Sequence, residues 1–164
     1  MTMLDPLHPE LVPQVFERYA RAPWGWDLLD PQDVALSLAQ FDQLLWRGPS
    51  AQFASFSADG DADLVVRLVD VDFRHRSARL ECWELEATLS DGQVAAGIDL
   101  VLEHAASVLG LHRVSYRLPG FLVPFQRPLV SERFALEGRL VDRLQRRGRL
   151  WDVELRAVLV DGPS

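Results

Sequence analysis

Residues 89–114, LSDGQVAAGIDLVLEHAASVLGLHRV, constrain the fold more than any other stretch of this chain. A turn-forming Ser90-Asp91-Gly92 leads into a run where Val94, Ile98, Val101, Leu102, Ala105, Val108 and Leu109 recur at helical spacing. That spacing predicts an amphipathic helix over 91–109 with the stripe buried. Gly110 stands where a helix hands over to a left-handed residue, and HRVSYRL beyond it reads as a strand. Ser90 and Gln93 have the spacing of a capping box, in which two side chains satisfy the open end of the helix.

The flanks supply the remaining order. Leu11, Val12, Val15, Phe16 and Tyr19 predict one amphipathic helix from Pro9 to Ala20. A second is expected from Pro31, with Asp30 as N-cap and Val34, Leu38, Phe41 and Leu45 on one face, until Gly48-Pro49 stops it. AQFASFSADGDADLVVRLVDVDF reads as a strand, a turn at Asp59-Gly60 and a second strand over 63–73. The polar RHRS links it to ARLECWELEA, completing a three-stranded meander. After HRVSYRL, residues 119–133 hold three prolines, so any helix there is short and begins near Pro128. FALEGRLVDRL and RLWDVELRAVLV are expected to pair across Arg147-Gly148 as a closing hairpin.

Composition narrows the function classes. A chain of 164 residues that is 48% hydrophobic is expected to fold as one domain over 1–164. No run of about 18 apolar residues is present to span a membrane. MTMLDPLHPE lacks the basic flank and apolar stretch of a signal peptide, so a cytoplasmic protein is expected. The single Cys82 has no partner for an intramolecular disulfide and is expected to pack in the core. All 17 basic residues are arginine, as codon usage in a GC-rich bacterial genome would produce. A net charge of −7 argues against general nucleic-acid binding. The basic RLQRRGRL at 143–150 is read as a solvated hairpin turn around Gly148, with a binding patch as the other reading. His8, His75, His104 and His112 have no metal-ligand spacing, so no metal is expected. Neither a nucleophile elbow nor a P-loop occurs.

Four stretches carry a family likeness: LVDVDFRHRSARLECW at 68–83, GLHRV at 110–114, ERFALEGRL at 132–140 and RGRLWDVELRAVL at 147–159. With the element order, they resemble the GCN5-related N-acetyltransferase (GNAT) superfamily, and within it the branch that acetylates ribosomal-protein N-termini and similar amines. The resemblance implies an α/β (α+β) fold with a mixed central β-sheet flanked by helices. It also implies an enzyme that moves an acetyl (acyl) group from acetyl-CoA to an amine of a small molecule or a protein N-terminus. In that family the acyl-CoA lies in a V-shaped gap between the fourth and fifth strands, here 77–87 and 112–118. Its pyrophosphate rests on a glycine-rich loop leading into the central helix, where backbone N–H groups and the helix dipole attract an anion.

Laid on this chain, the loop pattern falls on residues 89–94 and keeps Gly92 at its diagnostic position, with Gln93, Val94 and Ala95 following as cofactor-binding backbone. Leu89 cannot donate a hydrogen bond, Val94 brings a branched side chain towards the diphosphate, and Asp91 adds a negative charge. A second alignment, on Gln93–Ile98, keeps a glutamine and a later small residue and shortens the helix by a turn. The family's usual general base falls on Arg79; Glu81, two residues on and on the same face, is the expected catalytic base, with Glu84 on the opposite face as second choice. Either carboxylate can also be read as the partner of an arginine. Backbone N–H groups near Trp83 and Leu85 are expected to polarise the thioester carbonyl.

The family's asparagine and tyrosine fall on Leu122 and Leu129, so those roles do not carry over; Tyr116 is the nearest spare phenol and also reads as core. Trp24, Trp26 and Trp46 either line an acceptor cleft or pack. The acidic surface suits a cationic acceptor. The apolar residues of 134–160 make a homodimer the expected partner state. The competing reading, favoured by the missing loop and helix residues, is a catalytically degenerate GNAT-fold protein that serves as a binding or dimerisation module.

Overall fold

The apolar run between Asp61 and Phe73 forms a strand whose residues from Ala62 to Val69 are all buried, the signature of a strand covered on both faces. The computed structural model describes residues 4–21, 37–48, 50–86, 89–121 and 132–160. Its elements are β1 (Asp5–Pro6), a 3₁₀ turn (Pro9–Leu11) running into α1 (Val12–Arg21), α2 (Leu38–Leu45), β2 (Ala51–Phe56) and β3 (Ala62–Asp72). Then come β4 (Ser77–Glu84), α3 (Asp91–Ser107), β5 (Arg113–Pro119), β6 (Ala135–Arg146) and β7 (Arg149–Leu159). Among the described residues the strands form one sheet in the order β1-β2-β3-β4-β5-β7-β6. It is mixed: β4 and β5 run parallel, whereas β2–β3, β5–β7 and β6–β7 are antiparallel. No helix among the described residues is long and apolar enough to cross a membrane.

Several boundaries differ from the sequence reading. The helix expected from Pro31 begins, in the described residues, at Leu38. Ser37 is extended there and its hydroxyl accepts from the Gln40 amide at 3.3 Å. Asp30, Pro31 and Val34 lie outside the described residues, as do Trp24, Trp26, Leu122, Leu129 and Pro128. Val108, expected in the buried stripe, is 67% exposed because α3 ends at Ser107 and the helical period stops there. Gly110 does take the left-handed conformation, at φ +63°. The two-residue β1 was not read at all, since it exists only through its register with Phe53 and Ala54.

Two compact units form. In the first, Met1–Val71 with Glu81–Val101, the core is aromatic. Tyr19 of α1 stacks on Phe41 of α2 at 5.2 Å and on Trp83 of β4 at 4.8 Å, and Phe41 lies 5.8 Å from Trp83. The α3 stripe of Val94, Ile98 and Val101 is buried as its spacing predicts. Gly97 shares that face, and a Cβ there would come within 2.7 Å of Leu64 Cδ2 on β3. The missing side chain at Gly97 lets helix and strand approach closely here.

In the second unit, Asp72–Leu80 with Leu102–Ser164, Ser77–Leu80 of β4 pairs with Arg113–Tyr116 of β5. β6 and β7 are joined at Arg147 (φ +50°) and Gly148 (φ +75°), the left-handed pair of a type I′ hairpin turn. Arg113 donates to Glu137 through both terminal guanidinium nitrogens, Nη1 at 2.6 Å from Oε1. Those hydrogen bonds hold the Glu137 carboxyl below its ordinary value of 4.5, and bonds from His75 likewise hold Asp72 below 3.8.

A carboxylate with a depressed folded-state pKa stabilises the fold above its unfolded pKa, and the contribution disappears as the pH falls through the folded value. Glu137→Gln is therefore expected to lower the melting temperature at neutral pH, and to lower it progressively less as the pH falls through the depressed folded-state value of the wild-type carboxyl. Thermal melts of both proteins across the acid range check this; a loss that does not diminish with falling pH would contradict it.

Candidate active site

The site grows from a charge in an apolar strand. Arg67 interrupts the run LVVRLV of β3 and is 2% exposed. A guanidinium that deep must replace its lost hydration with protein partners. It does so on three sides. Nη1 lies 3.2 Å from Oε2 of Glu81, Nη2 donates to the carbonyls of Leu44 (3.3 Å) and Leu45 (3.2 Å), and the guanidinium carbon stands 4.7 Å over the Trp83 ring. Leu44 and Leu45 end α2, where carbonyls lack an i+4 helical donor, Leu44 O taking a long 3.4 Å bond from Arg47 N–H, and the dipole is negative. Gln52, the cross-strand neighbour of Arg67 on β2, also donates to Leu45 O.

Glu81 and Trp83 share a face of β4 because side chains two apart in a strand do. Both meet Arg67 for that reason. The Glu81 side chain keeps 21% of its surface exposed, so the carboxylate is held and still reachable. The reading of Glu81 as the partner of an arginine holds, and sequence reasoning missed that the partner is Arg67. Its signal was available: a lone arginine inside an otherwise apolar strand.

The strand's alternation revises the expected carbonyl-polarising amides. Arg76 O accepts from the amides of His112 and Arg113, so even-numbered positions face β5, whereas Leu85 N–H donates to Asp63 O of β3 at 2.9 Å. Peptide groups alternate between the two edges of a regular strand. Trp83 and Leu85 thus turn their amides towards β3, and the amides on the opposite edge are those of Cys82 and Glu84. Cys82 itself is half-buried.

At the head of α3 the capping box is formed. The Ser90 hydroxyl accepts from Gln93 N at 3.3 Å, and Gln93 Oε1 accepts from Ser90 N at 2.9 Å. Ser90 O takes the amides of Gln93 (3.0 Å) and Val94 (3.2 Å). α3 therefore starts at Asp91 and runs unbroken through Gly97, which excludes the alternative alignment on 93–98. Val94 was expected to obstruct a diphosphate, but it is 2% exposed and its side chain is spent on the core. Leu89 is buried too. The outward side of this turn is Ser90, Asp91 and Gly92, and a Cβ at Gly92 would meet nothing within 4 Å. There is open space beside Gly92, and Asp91 next to it adds a negative charge.

Ser90→Ala removes one side of the box and is expected to cost about 1 kcal/mol of stability, read as a shift in the urea midpoint with unchanged slope.

Other candidates are placed elsewhere. Tyr116 packs on Phe134 at 5.7 Å in the second unit. Trp46 caps α2, is 41% exposed, and donates its indole N–H to Asp42 at 2.9 Å. Among the described residues no group of three or more His, Cys, Asp or Glu side chains could hold a metal ion.

No protein-family model and no curated protein sequence matches the chain. Solved structures do match. The spermidine N-acetyltransferase of Vibrio cholerae in complex with CoA and spermine is 19% identical, with 97% of this chain and 95% of that chain covered and a TM-score of 0.81. A chimera of Vibrio cholerae SpeG with hSSAT is 20% identical over 96% of this chain and 95% of that one, at a TM-score of 0.80. The dodecameric spermidine N-acetyltransferase from the same organism is 20% identical over 96% and 93%, at 0.77. With its mixed sheet, its helix order and this likeness along nearly the whole chain, the protein has the acyl-CoA N-acyltransferase fold of the GCN5-related N-acetyltransferases.

Proposed function

We propose that the chain is an N-acetyltransferase, one domain over 1–164, that moves an acetyl group from acetyl-CoA to a primary amine of a cationic acceptor. The observation that carries this reading is the likeness over 97% of the chain to an acetyltransferase in complex with CoA and spermine. Acetyl-CoA, when bound, supplies the acetyl group as a thioester. The first turn of α3, at Gly92, Gln93, Val94 and Ala95, would hold its pyrophosphate by backbone and dipole, a contact that needs no particular side chain. Backbone amides of β4 around Trp83 and Leu85, taken on the edge at Cys82 and Glu84, would meet the thioester carbonyl. Glu81 accepts the amine's proton as the new N–C bond forms and the C–S bond breaks, and water protonates the departing thiolate.

A polyamine suits the net charge of −7 and the fold neighbours' acceptor, and we propose it ahead of a protein N-terminus, the acceptor of the ribosomal-protein branch. We assign the protein to the cytoplasm. We also propose assembly through the closing hairpin, where Leu136, Val141, Leu150 and Leu159 stand exposed, first as a homodimer. Thiol release from acetyl-CoA, followed with spermidine and with a peptide α-amine, tests the acceptor. Faster turnover with spermidine is expected, and turnover only with the peptide would reverse the choice.

The formed capping box favours a second reading, a catalytically degenerate GNAT-fold binding or dimerisation module, because it satisfies the α3 N-terminus without a ligand. Under that reading neither amine releases thiol.

A further inference from the structure

We infer that Arg67 is the positioning residue of this site, a buried cation that fixes Glu81 relative to the end of α2. The inference rests on the acetyl-transfer reading and adds to it a residue on β3 that would touch neither substrate. A buried guanidinium is costly to desolvate, and an apolar side chain of similar volume would serve packing as well or better. The charge is instead spent on two partners of different kinds: the candidate base on β4, at 3.2 Å, and the last carbonyls of α2, at 3.2 and 3.3 Å. The face of Trp83, 4.7 Å away, holds the guanidinium plane between them. A planar fork transmits orientation as a point charge cannot. Any shift of the α2 end therefore moves the Glu81 carboxylate with it.

Three variants, Arg67→Met, Arg67→Lys and Glu81→Gln, with the Arg67→Met/Glu81→Gln double, test this. In folded Arg67→Met, kcat is expected to fall about 10- to 100-fold and KM for the amine to rise several-fold, while acetyl-CoA affinity stays within about two-fold. Arg67→Lys keeps the charge and loses the fork, so it should lose about 10-fold in kcat; it carries the test if the methionine variant does not fold. In the double variant the loss should be no more than about three-fold beyond Glu81→Gln alone, since both changes break one unit. A folded Arg67 variant with kcat within two-fold of wild type overturns the inference. So do losses that multiply in the double variant, or acetyl-CoA affinity that falls in step with kcat, the pattern of a merely structural residue. Wild-type protein that turns over no acetyl-CoA brings down the acetyl-transfer reading and this role with it. Wild-type turnover with unaffected Arg67 variants brings down this role alone.

Discussion

Glu81→Gln is expected to lower kcat for acetyl transfer by about 10²- to 10⁴-fold, the usual worth of a positioned proton acceptor. Gln keeps an oxygen where Arg67 donates, so the 3.2 Å contact can persist as a charge-to-neutral hydrogen bond. What it loses is the ability to take a proton. The stability loss should be modest, about 1–3 kcal/mol for weakening a bond to a charged group. The variant should thus remain folded by circular dichroism and bind acetyl-CoA as before. A Glu81→Gln protein with kcat within three-fold of wild type would exclude Glu81 as the base. Attention would then move to Glu84, whose side chain lies on the opposite face of β4.

Trp83→Ala should produce the largest stability change of any single substitution at this site. Trp83 is 2% exposed and joins Tyr19, Phe41 and Arg67 in one cluster, so its removal opens a cavity and strips the guanidinium of its flat partner. Large-to-small changes of this kind cost about 3–5 kcal/mol. In a domain whose total stability is about 5–15 kcal/mol, that is about a fifth of it or more. For a chain of this size the melting temperature should fall by about 6–20 °C. Trp83→Phe, which keeps an aromatic face, should lose less than half as much. A Trp83→Ala midpoint within about 1 kcal/mol of wild type would contradict the packing described here.

How much of this was legible in the sequence differs element by element. The α3 stripe and the Ser90–Gln93 box were readable because both depend on spacing within one turn or one helix, and such local patterns survive folding unchanged. The Arg147-Gly148 turn was readable for the same reason. Val108 was misread because periodicity does not announce where a helix stops, and β1 was missed because two residues carry no period. The site was harder. Glu81 could be named from its place on β4, but its partner Arg67 is 14 residues away on the preceding strand, and α2's end is more distant still. Those contacts exist only through tertiary packing. Val94 shows the converse: a side chain that looked obstructive in the loop pattern is turned into the core by the helix that carries it.

Binding of the acyl donor at the first turn of α3, capping box notwithstanding, is what the proposed acetyl transfer requires first. Calorimetric titration of the wild-type chain with acetyl-CoA tests it most directly, alongside Gly92→Glu, which adds charge and bulk on the open side of that turn. Saturable heat with a dissociation constant below about 1 mM, weakened at least ten-fold by Gly92→Glu, is the predicted result. No heat at millimolar acetyl-CoA, from a chain that is folded by the same sample's melt, would contradict it and leave the binding-module reading in its place.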